Sequence, residues 1–145
     1  MISLGLVGLS ACLFMSCSGL FSDDDQMKVA YIDWYFESPG LGPLFLVPDT
    51  VVAGTSSQVE FRTLGLDGCY SLGRTEVKRK GEFDVTVRGF DRSGGGTCPS
   101  IDVFFTHEAS VRFDEPGDAR VRILGRHFPS GEEVEVLREV VVLPR

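Results

Sequence analysis

Val103-Phe104-Phe105-Thr106-His107-Glu108-Ala109-Ser110-Val111-Arg112-Phe113 is the stretch that decides the fold. Val103, Phe105, His107, Ala109, Val111 and Phe113 fall on one side of an extended chain, and Thr106, Glu108, Ser110 and Arg112 fall on the other. Side chains alternate across a strand with period two, so this run reads as a half-buried β-strand. Shorter runs repeat the pattern on either side. Val59, Phe61 and Thr63 oppose Gln58, Glu60 and Arg62, and Phe83, Val85 and Val87 oppose Glu82, Asp84, Thr86 and Arg88. Ala119, Val121 and Ile123 alternate with Arg120 and Arg122, and Val134, Val136, Arg138, Val140 and Val142 close the chain.

Turn chemistry separates these runs. Pro48-Asp49, Ala53-Gly54, Asp67-Gly68, Lys80-Gly81, Glu115-Pro116-Gly117-Asp118 and Pro129-Ser130-Gly131 supply the glycine or proline that a tight reversal needs. Ser93-Gly94-Gly95-Gly96 reads as a loop. Strands at this spacing predict an all-β, antiparallel β-sandwich of about seven to eight strands.

The proline-led start at Pro48, the Ala53-Gly54 turn, Val59 and Phe61 resemble the opening of bacterial immunoglobulin-like or fibronectin-type modules. Pro116-Gly117 before Ala119-Arg120-Val121-Arg122-Ile123 resembles their penultimate strand. The resemblance implies an immunoglobulin-like sandwich. The antibody-type core is not part of it, because Trp34 precedes both Cys69 and Cys98.

Upstream, Ile2 to Met15 carry no charge and end at Phe14-Met15-Ser16-Cys17. The run is shorter than the roughly 20 apolar residues of a membrane-spanning helix and suits a signal peptide. Phe14-Met15-Ser16-Cys17 resembles a bacterial lipobox in its small residue and cysteine, and Leu9-Ser10-Ala11-Cys12 keeps Cys12 open as the alternative lipidation site. The chain thus resembles small bacterial lipoproteins that carry an immunoglobulin-like or fibronectin-type domain. That resemblance implies a signal peptide over 1–16, a lipidated Cys17 with an acidic spacer over 17–27, and a β-sandwich domain over 28–145. It also implies a cell-envelope protein held to the membrane by palmitate-type acyl chains, each buried methylene contributing about 0.8 kcal/mol. Ser18 after Cys17 resembles proteins sent to the outer membrane.

The formal net charge is −7, with 21 acidic residues against 14 Lys and Arg. Such a surface argues against nucleic acid as a partner. Cys69 and Cys98 form an even pair that an oxidising compartment turns into a disulfide. The competing reading joins them to His107 and His127 as a Cys2His2 metal site, without the usual close ligand spacing. His107 shares a face with Phe105 and Ala109 and reads as a hydrogen-bonded core histidine. Asp102, Asp114 and Glu115 read as solvated carboxylates, and no nucleophile elbow, phosphate loop or His-Glu-x-x-His motif occurs.

Tyr31-Ile32-Asp33-Trp34-Tyr35-Phe36 is the most aromatic window. Read as a first strand, it has surplus aromatics that either cap a sheet edge or, as Tyr31, Trp34 and Tyr35, form a contact patch for a partner beside a Pro39–Pro43 loop. The expectation is therefore a non-enzymatic, lipid-anchored binding or structural module with no cofactor and no metal. Its partner would be another envelope protein or polymer. The alternative is a small metal-binding or hydrolytic envelope protein using His107 and nearby carboxylates.

Overall fold

The computed structural model describes residues 27–32 and 44–145. Cys12, Cys17, Trp34, Tyr35 and the Pro39–Pro43 loop lie outside the described residues. Among the described residues nine strands follow in order: β1 (Met27–Val29), β2 (Phe45–Leu46), β3 (Thr50–Val52), β4 (Ser56–Gly65), β5 (Ser71–Arg79), β6 (Asp84–Arg92), β7 (Val103–Arg112), β8 (Gly117–Arg126) and β9 (Glu133–Leu143). They form two packed sheets. One has the order β1-β6-β8-β9-β3 with β5 also paired to β6, and the other has the order β2-β4-β7.

The long alternating run becomes β7, and all ten of its residues pair with β4, from Ser56↔Arg112 to Gly65↔Val103. Its inward positions His107, Ala109 and Val111 are buried, and Phe113 just beyond is 1% exposed. The facing layer contributes Val85, Val87, Val121, Ile123, Val136, Val140 and Val142 to the same core. β-branched residues dominate because their stiff side chains pack well on a pleated surface.

The pairing is not wholly antiparallel. β3 runs parallel to β9, and β6 runs parallel to β8 over Asp84↔Arg120 to Arg88↔Leu124. The cause is the route of the chain: after β6 it crosses to the other sheet as β7, then returns as β8. Two reversals restore the original direction. Period-two patterning reveals which face of a strand is buried but not which strand lies beside it, so the expected antiparallel order is corrected at these two pairs.

Of the aromatic window, Tyr31 and Ile32 are among the described residues. β1 ends at Val29, and Tyr31 forms single bridges to Leu64 in one sheet and Arg126 in the other. The Leu64 N–H donates to the Tyr31 carbonyl at 2.9 Å, and the Ile32 N–H to the Arg126 carbonyl at 2.8 Å. Residues 30–32 therefore stitch the two layers together at one end, with Ile32 fully buried. Among the described residues no helix is long and apolar enough to cross a membrane.

Gly89 in β6 makes a tight fit between the layers. A Cβ there would lie 2.9 Å from a Phe61 ring carbon and 3.1 Å from the His107 ring. Gly89→Ala is expected to destabilise the domain by about 1–3 kcal/mol through overpacking. Denaturant titration checks this; unchanged stability would show that the layers separate freely here.

Candidate functional site

Two constellations lie toward the end of the sandwich that residues 30–32 close. The first is a pair of loops. After β4, Asp67-Gly68 turns the chain back: the Tyr70 N–H donates to the Asp67 carbonyl at 3.2 Å, and the Cys69 N–H donates to Asp67 Oδ1 at 2.8 Å. This is the side-chain turn that aspartate favours, and it fixes the carboxylate beside Cys69. The loop after β6 docks against it. The Gly94 N–H donates to the Cys69 carbonyl at 3.0 Å, and the Gly68 N–H donates to the Pro99 carbonyl at 2.9 Å. A Cβ at residue 94 would sit 2.6 Å from the Cys69 carbonyl oxygen, so the close approach requires glycine.

Cys69 and Cys98 are joined in a disulfide with Cα atoms 5.5 Å apart, closing 29 residues of sequence separation. The expected pairing is thus observed. Asp67 adds what the sequence had offered only as a turn residue. Its carboxylate oxygen and the two sulfurs all lie within 4.8 Å of one another, and all three residues are half-buried. Three potential ligands in that space constitute a candidate metal centre, and this overturns the expectation of a module with no metal and no enzymatic role. Neither His107 nor His127 belongs to the cluster, so the Cys2His2 arrangement is replaced by Asp67, Cys69 and Cys98.

The chemistry is conditional on redox state. Sulfurs in a disulfide are not thiolates, and the thiolate is the metal ligand. With the bond closed, Asp67 is the one anionic ligand of the three. Reduction would leave two thiols beside Asp67, on loops joined by the two cross-loop backbone hydrogen bonds. Beside the cluster, Tyr70 has its pKa raised above the ordinary 10.0, chiefly by burial and then by electrostatic coupling to Tyr31 and Asp67, with Arg126 opposing. Its phenol therefore stays neutral at physiological pH and supplies no competing anion.

The second constellation is buried. Thr63 of β4 donates its hydroxyl to Asp91 Oδ2 at 2.7 Å, and Asp91 Oδ1 lies 2.8 Å from His107 Nε2. On the far side of the imidazole, His107 Nδ1 lies 2.9 Å from Thr75 Oγ1. The His107 and Asp91 side chains are 0% and 2% exposed, and the imidazole stacks on Phe61 at 5.2 Å. His107 is therefore the hydrogen-bonded core histidine expected, and its carboxylate partner is Asp91 rather than Asp102, Asp114 or Glu115. Those three are exposed, and Asp114 pairs with Arg112 at 2.7 Å. The patterning had marked Thr63 and His107 as inward polar residues. Nothing in it linked them to Asp91 and Thr75.

Tyr31 is half-buried under the Arg126 guanidinium, 4.3 Å from its ring centre, with Phe128 edge-on at 6.0 Å. His127 lies at the end of β8, its Nδ1 3.4 Å from Ser130 Oγ.

Cys69→Ser and Cys98→Ser should each destabilise the domain by about 3–4 kcal/mol, the chain-entropy value for a loop of this size. The double variant should cost no more than either single one, because both remove one shared bond. Additive losses in denaturant titrations would contradict that. Against family models, curated proteins and solved structures alike, the chain finds no match.

Proposed function

We propose that this protein binds a thiophilic divalent metal at Asp67, Cys69 and Cys98 under thiol–disulfide control. The observation that carries the reading is that an Asp67 carboxylate oxygen lies within 4.8 Å of both sulfurs of the disulfide. Two thiolates and a carboxylate suit zinc far better than magnesium or calcium, which take oxygen ligands. A tetrahedral ion with Zn–S bonds of about 2.3 Å places its two sulfurs about 3.8 Å apart. Opening the disulfide to that separation requires side-chain rotation only, since the Cα atoms are already 5.5 Å apart.

Reduction by a dithiol delivers two electrons and two protons to the disulfide, and the metal then displaces the two thiol protons. Metal and disulfide are mutually exclusive occupants of one site. Three protein ligands also leave a fourth position for water, the arrangement of catalytic rather than structural zinc. Such a water can act as a nucleophile, which is why a hydrolytic role belongs to this reading.

The compartment proposed is the cell envelope, with the chain held to the membrane through lipidated Cys17, or Cys12 in its place. The uncharged run before those cysteines supports it. For the scaffold we propose an immunoglobulin-like ancestry. Support comes from the antiparallel β4–β7 pair packed against the layer of β6, β8 and β9; the parallel β6–β8 pair departs from that pattern.

Cobalt(II) titration of the reduced, folded protein tests the proposal. One equivalent is expected to produce thiolate-to-cobalt charge-transfer absorption that is absent from the oxidised protein. The band should vanish in Cys69→Ser and Cys98→Ser and weaken in Asp67→Asn. Affinity should rise with pH, because the thiols must lose protons. Circular dichroism establishes that the reduced chain is folded; a folded, reduced protein without the band would contradict the assignment.

A further inference from the structure

We propose that Thr75 is a base-activated nucleophile that accepts acyl groups from activated carboxylic esters. His107 would be its general base and Asp91 the residue that positions His107. This site is separate from the metal ligands and does not depend on them.

The hydrogen-bond order sets the roles. Asp91 receives the Thr63 hydroxyl on Oδ2 and faces His107 Nε2 with Oδ1. A carboxylate oxygen opposite a ring nitrogen at 2.8 Å requires that nitrogen to carry the proton. In the neutral imidazole the lone pair then sits on Nδ1, and the contact at 2.9 Å is the Thr75 O–H donating to it. Hydroxyl, imidazole and carboxylate in that sequence are the arrangement by which hydrolases activate an alcohol.

The backbone is built to produce this contact. In β5, Leu72 pairs with Asp91 and Thr75 pairs with Gly89, so three steps on β5 match two on β6. The extra residue is a β-bulge. It reverses the inward-outward parity and turns Thr75 toward the core, an aiming function that bulges often serve beside active sites. Gly89, directly opposite Thr75, leaves room for the His107 ring, which a Cβ would approach to 3.1 Å.

Exposure is graded in the same order. His107 and Asp91 are each 1% exposed, whereas Thr75 is half-buried on a strand that pairs on one side only, with β6. Thr75 is thus the least buried member of the relay, and its hydroxyl is taken as the end that a small reagent approaches. In the step proposed, Thr75 Oγ1 bonds to the ester carbonyl carbon as its proton passes to His107 Nδ1. The bond to the leaving alcohol then breaks, that alcohol takes the proton from His107, and an acyl ester remains on Thr75.

The test is p-nitrophenyl acetate applied to the oxidised, metal-free full chain, with acetylation located by peptide mass mapping. Failure here is thus distinct from failure of the metal reading. Thr75 is expected to gain an acetyl group well ahead of the exposed hydroxyls of Thr106 and Ser110. Thr75→Ser should retain labelling at residue 75, and Thr75→Val should lose it. His107→Gln, with the fold verified by circular dichroism, should slow labelling about 10²-fold or more. Labelling of Thr75 no faster than Thr106 and Ser110 in the unaltered protein overturns the proposal, whether or not any variant folds. Equal rates in folded His107→Gln overturn it as well.

Discussion

The hydrogen-bonded pair of Asp91 and His107 is the constraint on which the rest of the molecule depends. It places an ionisable pair at 2.8 Å inside a largely apolar sandwich, joining β6 of one layer to β7 of the other. Polar groups removed from water are tolerated when their hydrogen-bonding positions are met, and here Thr63 and Thr75 complete the set from β4 and β5. Losing one partner of such a pair commonly costs about 3–5 kcal/mol, because the other is left buried and unsatisfied. Apolar packing is non-directional, whereas this network permits one angular arrangement of four strands. It therefore sets the register of β5, the strand with the least apolar burial of its own.

That register carries down to the loops. β4 leaves the network at Thr63 and reaches Asp67 four residues on, while β6 leaves it at Asp91 and enters the loop containing Gly94 and Cys98. The two loops inherit their approach from strands already locked together, then add backbone hydrogen bonds between Cys69 and Gly94 and between Gly68 and Pro99. The disulfide closes over an arrangement that other bonds already hold. On the reading proposed above, reduction would free the two sulfurs as ligands on loops that these hydrogen bonds still join.

Much of the fold was legible in the sequence, and the reasons are local. β4, β6, β7, β8 and β9 announce themselves because apolar and polar residues alternate along each of them. β5 does not, since its bulge interrupts the period and its apolar residues Leu72 and Val77 are 51% and 43% exposed. The cysteine pairing was legible from the even count of cysteines left in the folded domain. Asp67 as a ligand was not, because an Asp-Gly dipeptide has the same appearance whether or not a sulfur lies above it. The network was invisible for a deeper reason. Its members sit at positions 63, 75, 91 and 107 on four strands, and only the crossing of β7 between the sheets brings them together.

The most direct test of the central claim is zinc K-edge X-ray absorption on the reduced protein loaded with one equivalent of zinc. The account predicts two sulfur scatterers at about 2.3 Å, with the remaining shell of oxygen or nitrogen at about 2.0–2.2 Å. A shell made solely of oxygen and nitrogen would place the metal elsewhere and contradict the assignment to Asp67, Cys69 and Cys98.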